Sequence, residues 1–586
     1  MTPVVPIRGS ISASGDLSTL SYISGAVEGN PDIFIRTDGL PGGPRILPSN
    51  EALAMAKMNP ISLQAKEGLG ITNGTAASCA TACLVVHQAN QLAVLVQLLT
   101  AMGTEALAGT AANYDEFISS VRPHRGQIEA ARNIHKFLVG SKISSDETSS
   151  KVGLAQDRYS LRTAPQWIGP QLEDLLLATK QVTVEINSTT DNPLIDVDGG
   201  KIFQGGNFQA MAITSAMEKV MTVLQNLGRL MFAQSSEMIN HATSRGLPPN
   251  LSPDDPGASF LCKGFDISMA AYMSELGYLA HPVSTHVQTA EMANQAVNSM
   301  ALVAARYALE AIEVASLMAA AYIFVLCQAL DLRCMMLEFE TTFTKEIVLV
   351  AKETLTLPQE QAADLSSKIA TVLLQRWTQL CCLAAAERAT VAARESLGDL
   401  LGLLLPSNPA PDISRLQTFQ AAAATTLLST HERTRSLYFE RPGTARFISP
   451  ASKVVYEYVR RDLAVPFVRG VEDHPTVARD RALGNPSGGK RNGVHGHDAV
   501  RPAVEGEGIN ETHNGLVNNT NGAAGPSRVN GVNGDNEVNG DHEANNVSQD
   551  RRTPVTLGTM AGDIYQALRN GDLYGRIMKY CQENAF

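Results

Sequence analysis

The longest helical pattern in the sequence runs from Ala290 to Leu337, and it constrains the fold more than any other stretch. Its central part, Val314 to Leu326, is nearly all apolar and lies between Glu310, Glu313 and Asp331. This apolar segment is shorter than the roughly 20 residues that a helix needs to cross a bilayer. A helix that is apolar on all sides is typical of the centre of a helical bundle. We therefore predict a core helix surrounded by other helices, and no membrane partner.

Several other stretches share helical spacing of their apolar residues and a richness in Ala, Leu and Val. They are Leu17–Val27, Ala76–Leu107, Gln127–Val139, Gln171–Glu185, Phe208–Ala233 and Ile267–Leu279. Strand signals are scarce, apart from a weak hairpin signal at residues 41–44. Only 5% of the residues are aromatic, and small side chains let helices pack at short distances. The predicted fold class is all-α, with a long central helical bundle.

The character of the chain changes after this bundle region, which we assign to residues 1–337. Residues 338–483 form a second region, helical to about residue 440 and more charged on its polar faces, with a break at residues 406–409. Residues 484–552 are rich in Gly, Asn, Asp, Glu and Ser, and such a composition buries too little apolar surface to offset its ordering entropy. We predict a disordered insert there. Helical patterning returns in residues 553–586, with a final helix at Gly562–Tyr580.

Charge and cysteine usage exclude several classes of protein. The net charge is -11 and no cluster of Lys and Arg occurs, which argues against nucleic acid as a partner. The eight cysteines are scattered without a CxxC pair, so we expect reduced, buried thiols and no metal site. The first residues lack the basic region and apolar core of a signal peptide. Gly68-Leu69-Gly70 lacks the third glycine of a nucleotide-binding loop. These observations predict a cytoplasmic protein.

Ala13, Ser14 and Gly15 are three consecutive small residues that permit an unusual backbone reaction. If the chain folds back here, the amide nitrogen of Gly15 reaches the carbonyl carbon of Ala13, because glycine has no Cβ to obstruct the approach. Ring closure with loss of two waters, one from the Ser14 hydroxyl, gives a 4-methylidene-imidazole-5-one, an electrophile made from the chain itself. For the tripeptide alone, the alternative is a small-residue turn ahead of a helix.

The segment around this tripeptide, Ile11 to Ser18, resembles the cofactor-forming loop of the aromatic amino acid ammonia-lyases, and most closely the fungal phenylalanine ammonia-lyases. Further motifs follow in the family's order and extend the resemblance over nearly the whole chain: Asn73 to Thr75, Gln156 to Thr163, Thr190 to Leu194, Gly205 to Gln209 and Glu291 to Gln295. The resemblance implies the methylidene-imidazolone cofactor and the ammonia-lyase and fumarase kind of bundle. It also implies a homotetramer in which several subunits build each active site.

The same resemblance implies a reaction. L-Phenylalanine, with L-tyrosine as a second candidate, is deaminated to trans-cinnamate and ammonia, which feeds phenylpropanoid secondary metabolism. An aromatic aminomutase with the same cofactor is the alternative enzyme. Residues 338–440 would form the extra helical region that eukaryotic members place over the active-site end.

The resemblance also implies roles for individual polar side chains. Asn73 donates an amide hydrogen bond to the cofactor ring, Tyr159 places its phenol near the ring and the substrate amine, and Gln156 is a supporting donor. Arg162 clamps the substrate carboxylate, for which a planar bidentate donor is suited, and Asn192 lies beside the same carboxylate. Without the resemblance, Asn73 is a helix N-cap, Arg162 a solvated surface charge and Asn192 a turn residue before proline.

Five more residues complete the predicted site: Phe208, Lys263, Glu291, Asn294 and Gln295. Phe208 would lie against the cofactor ring, where the alternative is a core phenylalanine. Glu291 and Gln295 are four residues apart, so they would share one face of the long helix. A carboxylate entering a buried helix is a candidate for a shifted pKa and a role near the substrate amine. The alternative is a first-turn glutamate that favours the helix dipole.

The sequence departs from the family pattern upstream of the tripeptide. Family members carry there a mobile segment with a catalytic tyrosine, in a Tyr-Gly-x-x-Thr-Gly-Phe-Gly context, together with the aryl-pocket residues. Tyr22 does not match that context, and Gln204 stands where the family often has histidine. Poor turnover by the chain alone is therefore expected. It would follow from an incomplete gene model, or from a non-catalytic subunit that joins full-length paralogues.

Overall fold

The computed structural model describes residues 1–13, 16–39, 43–144, 156–355, 362–404, 413–482 and 555–586. Within these residues helices dominate and strands are few and short, which confirms the all-α prediction. The helices are α1 Ser18–Val27, α2 Ser49–Met55, α3 Glu67–Thr72, α4 Ala76–Ala106, α5 Glu116–Ser120, α6 Arg125–Leu138, α7 Tyr159–Arg162, α8 Ala164–Ile186, α9 Met211–Ile239, α10 Lys263–Leu279, α11 Ala301–Leu355, α12 Ala362–Gln379, α13 Ala385–Glu395, α14 Leu397–Leu404, α15 Ile413–Glu440, α16 Pro450–Glu457, α17 Pro475–Ala482, α18 Leu557–Arg569 and α19 Asp572–Glu583.

The strands are β1 Thr2–Pro3, β2 Phe34–Arg36, β3 Ile46–Pro48, β4 Leu194–Asp196 and β5 Lys201–Phe203. They form two antiparallel sheets, in the orders β1-β2-β3 and β4-β5. In the first sheet Ile35 pairs with Leu47, so β2 and β3 flank the predicted hairpin. Residues 40–42 of that hairpin lie outside the described residues.

Residues Met1–His474 and Val555–Phe586 form one compact unit, and Pro475–Pro554 form a second. The described part of the second unit contains helix α17. The predicted insert, residues 484–552, lies outside the described residues. All features that follow belong to the first unit.

The centre of the first unit is a bundle in which α4, α8, α9 and α11 pack against one another. Helix α6 lies against α8, where Gly126 faces Gly169. A Cβ atom on Gly126 would lie only 2.0 Å from the carbonyl oxygen of Gly169. This backbone-to-backbone approach requires glycine on the α6 side, as expected for helices that pack through small residues.

Helix α11 has 55 residues, and its segment from Val314 to Leu326 is buried almost throughout. Two helical stretches, Glu67–Ala106 and Ala301–Leu355, are long and apolar enough to cross a membrane, but 61% and 78% of their most apolar windows are buried inside the protein. Such burial is typical of core helices, and it confirms the prediction of a buried helix at 314–326.

Helix α11 continues without interruption past residue 337 into a second hydrophobic cluster. This cluster is formed by the end of α11 together with helices α12 to α15, and its buried members include Phe343, Trp377 and Phe419. The domain limits predicted at 337, 483 and 552 stay predictions.

Two predicted helices differ from the structure. The long helix begins at Ala301 and not at Ala290, because Glu291, Met292 and Ala293 have φ values of 50°, 53° and 69°. Polar side chains in this stretch bond to nearby backbone, which competes with helix formation; Asn298 donates to the carbonyl oxygen of Gln288. The final helix is two helices, α18 and α19, separated at a glycine with a φ of 84°.

Candidate active site

The segment that precedes the tripeptide is held by the carboxylate of Asp16. This carboxylate accepts hydrogen bonds from the Ser10 hydroxyl at 2.7 Å, from the backbone N–H of Ser12 at 3.0 Å and from the backbone N–H of Ile11. Ser12 has a φ of 54°, a left-handed conformation that these bonds compensate. Ala13 follows directly and is buried. The start of the tripeptide is therefore firmly positioned.

Ser14 and Gly15 lie outside the described residues, but the two residues that flank them are joined. The backbone N–H of Asp16 donates to the carbonyl oxygen of Ala13 at 3.0 Å. This bond polarises the carbonyl group whose carbon the Gly15 nitrogen would attack. The flanking geometry fits the ring closure that forms the cofactor.

This loop docks against the first turns of two bundle helices. The Ser78 backbone N–H, near the start of α4, donates to the Ser12 hydroxyl at 3.1 Å, and the Leu302 N–H at the start of α11 donates to the Ile11 carbonyl at 2.9 Å. Both helices direct the positive ends of their dipoles to this side of the bundle. Negative charge that develops near Ala13 would be stabilised there.

Asn73 and Asn192 lie together at the same end of the bundle. The Asn73 amide donates to the backbone carbonyl of Asn192 at 3.1 Å, and the side-chain oxygen of Asn192 accepts from the Gly205 N–H at 3.0 Å. Lys66 pairs with Asp191 at 2.7 Å and braces this turn. Asn73 ends α3 and does not cap α4, so the N-cap alternative is wrong.

Phe208 and the segment 291–295 belong to this end too. The neighbouring Gln209 side chain donates to the Val297 carbonyl at 3.0 Å, which ties the start of α9 to this loop. Phe208 is half-buried, and Glu291 is exposed and accepts from the Asn294 amide at 3.2 Å. The prediction that Glu291 and Gln295 share a helix face is wrong, because they lie in a loop in which Ala290 pairs with Gln295.

Gln156, Tyr159 and Arg162 line an open cleft of about 800 Å³, whose other walls come from residues 241–246 and 378–382. Tyr159 is 71% exposed. The Arg162 guanidinium lies 5.5 Å from the centre of the Tyr159 ring. Its Nε atom is buried and has no hydrogen-bond partner among the described residues. Arg162 thus lines the cleft with a guanidinium whose Nε is paired with none of the described residues.

The cleft segment is anchored by Asp157, which we did not single out from the sequence. Its carboxylate pairs with Arg245 at 2.5 Å and accepts from the Thr110 N–H at 2.7 Å and the Asn113 amide at 2.6 Å. The sequence could have indicated Asp157, because it lies inside the Gln156-to-Thr163 motif that resembles the family. Asp16, beside the tripeptide, carried a similar signal.

Lys263 begins α10, where it is exposed with its ammonium group 5.4 Å from the Phe260 ring centre. It is not among the residues that line the Arg162 cleft. Within one chain Lys263 is therefore separate from the cleft that Gln156, Tyr159 and Arg162 line.

The predicted site is divided between opposite ends of the bundle. Ser78 contacts the tripeptide loop, whereas Thr104, farther along α4, bonds the Tyr114 hydroxyl, which donates to the Leu161 carbonyl beside Arg162. Ser78 and Thr104 are 26 residues apart, or about 39 Å at the rise of an α-helix. Ala13 and Arg162 of one chain do not face a common substrate.

Two buried thiols, one near each end of the bundle, hold their protons tightly. All eight cysteines are described and free. Burial raises the pKa of the Cys79 thiol to about 12 and that of Cys381, at the cleft, to about 11. Within the described ranges no group of three His, Cys, Asp or Glu side chains is arranged to hold a metal ion.

The helical bundle, the Ala13 loop and the arginine cleft define a class of protein. The sequence model of the family of aromatic amino acid lyases matches residues 1–352, and the chain belongs to this family. The resemblance inferred from the motifs, and the assignment as a carbon–nitrogen lyase, are confirmed.

Individual relatives are close. Phenylalanine ammonia-lyase lenB of Aspergillus lentulus is 50% identical over 497 residues, which are 81% of this chain and 68% of the relative. A phenylalanine aminomutase (L-beta-phenylalanine forming) of Talaromyces islandicus is 45% identical over 483 residues, with 81% and 67% covered. The crystal structure of phenylalanine ammonia-lyase from Rhodosporidium toruloides is 35% identical with a TM-score of 0.81, covering 99% of this chain and 77% of that one.

Proposed function

We propose that this protein deaminates L-phenylalanine to trans-cinnamate and ammonia. The observation that carries the proposal is the 50% identity to a phenylalanine ammonia-lyase over 81% of the chain. L-Tyrosine is a second candidate substrate. We place the enzyme in the cytoplasm, where its product would supply phenylpropanoid secondary metabolism.

The proposed cofactor is the methylidene-imidazolone formed from Ala13, Ser14 and Gly15. It supplies an electrophile for the substrate amine. The residues around it favour its formation, because the Asp16 N–H polarises the Ala13 carbonyl and the Asp16 carboxylate fixes the preceding backbone. Asn73, 3.1 Å from the Asn192 carbonyl, is held at the same end to donate toward the ring.

Substrate binding is assigned to the cleft. Arg162 holds the carboxylate in a bidentate pair, Gln156 supports it, and the exposed Tyr159 hydroxyl exchanges a proton near the amine. Phe208, Glu291, Asn294 and Gln295 lie at the tripeptide end and are proposed to join the pocket from there, and Lys263 is proposed to complete it. Asn192 contributes from the tripeptide end, beside Asn73.

The two ends are united by assembly. Because the Ala13 loop and the Arg162 cleft lie at opposite ends of one bundle, near Ser78 and Thr104 of α4, which are about 39 Å apart, a substrate bound by Arg162 reaches the cofactor of a different subunit. We propose a homotetramer, in which antiparallel bundles place the tripeptide end of one subunit against the cleft of another.

The test is product analysis with the purified protein and L-phenylalanine. We expect trans-cinnamate and ammonia in equal amounts. The 45% identical aminomutase favours a second candidate function, in which β-phenylalanine accumulates instead. In Ser14→Ala the mass deficit of two waters, about 36 Da, and the activity should both disappear. Full activity in that variant would refute the cofactor assignment.

A further inference from the structure

A small, separate cavity lies behind the wall of the Arg162 cleft. It is enclosed by residues of the 246–256 loop and of helices α11, α12, α13 and α15, and its volume is about 60 Å³. A buried water needs about 10–15 Å³, so there is room for roughly four to six waters or one small ion. An aromatic amino acid does not fit. Gly246 and Cys381 line both the cavity and the cleft.

Four polar side chains that line this cavity carry an unused buried atom. Ser252 Oγ, Arg388 Nη2, His431 Nδ1 and Arg435 Nε are all buried and have no hydrogen-bond partner among the described residues. Buried polar atoms are normally paired, because each unpaired one costs free energy. Their convergence on one cavity indicates a common ligand.

The charges around the cavity favour an anion over water alone. Arg435 pairs with Asp254 at 2.9 Å, and Asp254 also accepts from the Val471 N–H at 2.6 Å. Asp255 accepts from the Ala385 N–H at the exposed start of α13. The carboxylates of Asp254 and Asp255 thus already have hydrogen-bond partners, and Asp255 is exposed to solvent.

Arg388 has no carboxylate within ion-pair distance among the described residues. Its Nε donates to the Trp377 carbonyl at 2.7 Å, and its guanidinium lies 4.0 Å from the Trp377 ring centre. A buried cation without an anionic partner is unfavourable. Burial and then Arg388 and Arg435 lower the pKa of His431 to about 3, so the ring is neutral, and its unpartnered Nδ1 donates in the tautomer that carries the proton there.

We propose that this cavity binds a small oxyanion, a short carboxylate or inorganic phosphate, whose oxygens accept from Arg388, Arg435, His431 and Ser252. The site is distinct from the substrate cleft and does not depend on the reaction proposed above. Its occupancy joins the α13 and α15 sides of the cavity to the 246–256 loop.

The proposal is tested by titrating the purified protein with sodium formate and with sodium phosphate in a calorimeter, with sodium chloride at matched ionic strength as reference. At least one oxyanion should bind saturably and raise the thermal unfolding midpoint. Arg388→Lys should weaken binding roughly tenfold or more, because the forked donor is lost. Ser252→Ala should also weaken it.

Two controls separate this site from others. Ser235→Ala removes another buried hydroxyl that is unpartnered within the described part of the chain and lies outside the cavity lining, and it should leave binding unchanged. Binding should survive in Arg162→Ala. Loss of binding in Arg162→Ala but not in Ser252→Ala would assign the ion to the cleft and overturn the proposal. Absence of saturable binding for both oxyanions would overturn it too, leaving water as the occupant. If Arg388→Lys does not fold, the comparison of Ser252→Ala with Ser235→Ala decides.

Discussion

Arg162 combines three properties that a carboxylate clamp needs. It is half-buried, its guanidinium lies 5.5 Å from the centre of the Tyr159 ring, and its Nε has no partner among the described residues. A surface arginine with these features differs from an ordinary solvated charge, which moves freely.

We predict that Arg162→Ala weakens substrate binding by about 2–5 kcal/mol, the usual cost of stranding one charge of a buried pair. Steady-state kinetics with L-phenylalanine should show this mainly as a raised KM. Arg162→Lys should recover only part of the loss, since lysine is not a bidentate donor. Arg36→Ala is the control, because Arg36 is exposed and pairs with Asp38, two residues away. If Arg162→Ala and the control have the same kcat and KM, Arg162 is a solvated surface charge and does not bind the substrate carboxylate.

Glu105 is a buried carboxylate outside both ends of the site. It is 0% exposed and accepts from the Ser449 N–H and the Ser452 hydroxyl. Burial raises its pKa to about 7 from 4.5, although the serine hydrogen bonds oppose this. The folded state therefore holds the proton more tightly than the unfolded state.

We predict that the stability of the protein falls as the pH rises, because the pKa of Glu105 is higher in the folded state than in the unfolded state. Protonated Glu105 adds on the order of 3 kcal/mol to the free energy of unfolding below pH 4.5. This stabilisation is lost as the pH rises to about 7. Glu105→Gln keeps a donor and an acceptor but cannot ionise, so it should gain stability relative to the wild type across this window. Thermal unfolding of both proteins from pH 4.5 to 8 is the measurement. Parallel profiles would contradict the prediction.

Among the elements, the contact between α6 and α8 depends most directly on residue size. We predict that Gly126→Ala lowers stability by about 1–3 kcal/mol, because its Cβ would overlap the Gly169 carbonyl and force the helices apart. Gly562→Ala on α18 is the matched control, since a Cβ there meets nothing within 4 Å. It should be neutral or stabilising by up to about 1 kcal/mol. Thermal unfolding of the two variants side by side checks this, and equal midpoints would argue against the close approach.

At the scale of the whole molecule, the tripeptide end and the cleft end of the bundle are about 39 Å apart along α4, yet both are proposed to serve one reaction. If each active site takes Ser14 from one subunit and Arg162 from another, Ser14→Ala alone is inactive, and Arg162→Ala alone is only weakly active at substrate concentrations far below its raised KM. We predict that co-expressing them restores activity, because about a quarter of the sites in random tetramers receive both intact residues.

Mixing the two purified variants without subunit exchange is the control and should restore nothing. Light scattering of the wild type should give the mass of a tetramer. An inactive co-expressed mixture that still forms tetramers would show that Ser14 and Arg162 act within one chain, against the proposed assembly.

Features that depend on the local order of residues can be predicted from the sequence alone. Apolar residues at helical spacing specify the long helices, because a helix buries one face through neighbours three and four positions apart. The chemistry of Ala13, Ser14 and Gly15 also follows from adjacency, since the proposed ring closes within three residues.

The placement of the helices and of the site residues relative to one another follows from tertiary contacts. Asp157 pairs with Arg245, and Asn73 donates a hydrogen bond to Asn192. The members of each pair are far apart in the sequence, so no local pattern predicts these contacts. Residues 290–300 match a helical pattern, yet side-chain bonds to their backbone hold them in a loop that exposes Glu291. The placement of Arg162 and Ala13 at opposite ends follows from the antiparallel packing of α8 against α4, in which the Thr75 hydroxyl before α4 donates to Glu185 at the end of α8. Spacing along the chain says nothing about which ends meet, because packing free energy is shared among contacts that are distant in sequence.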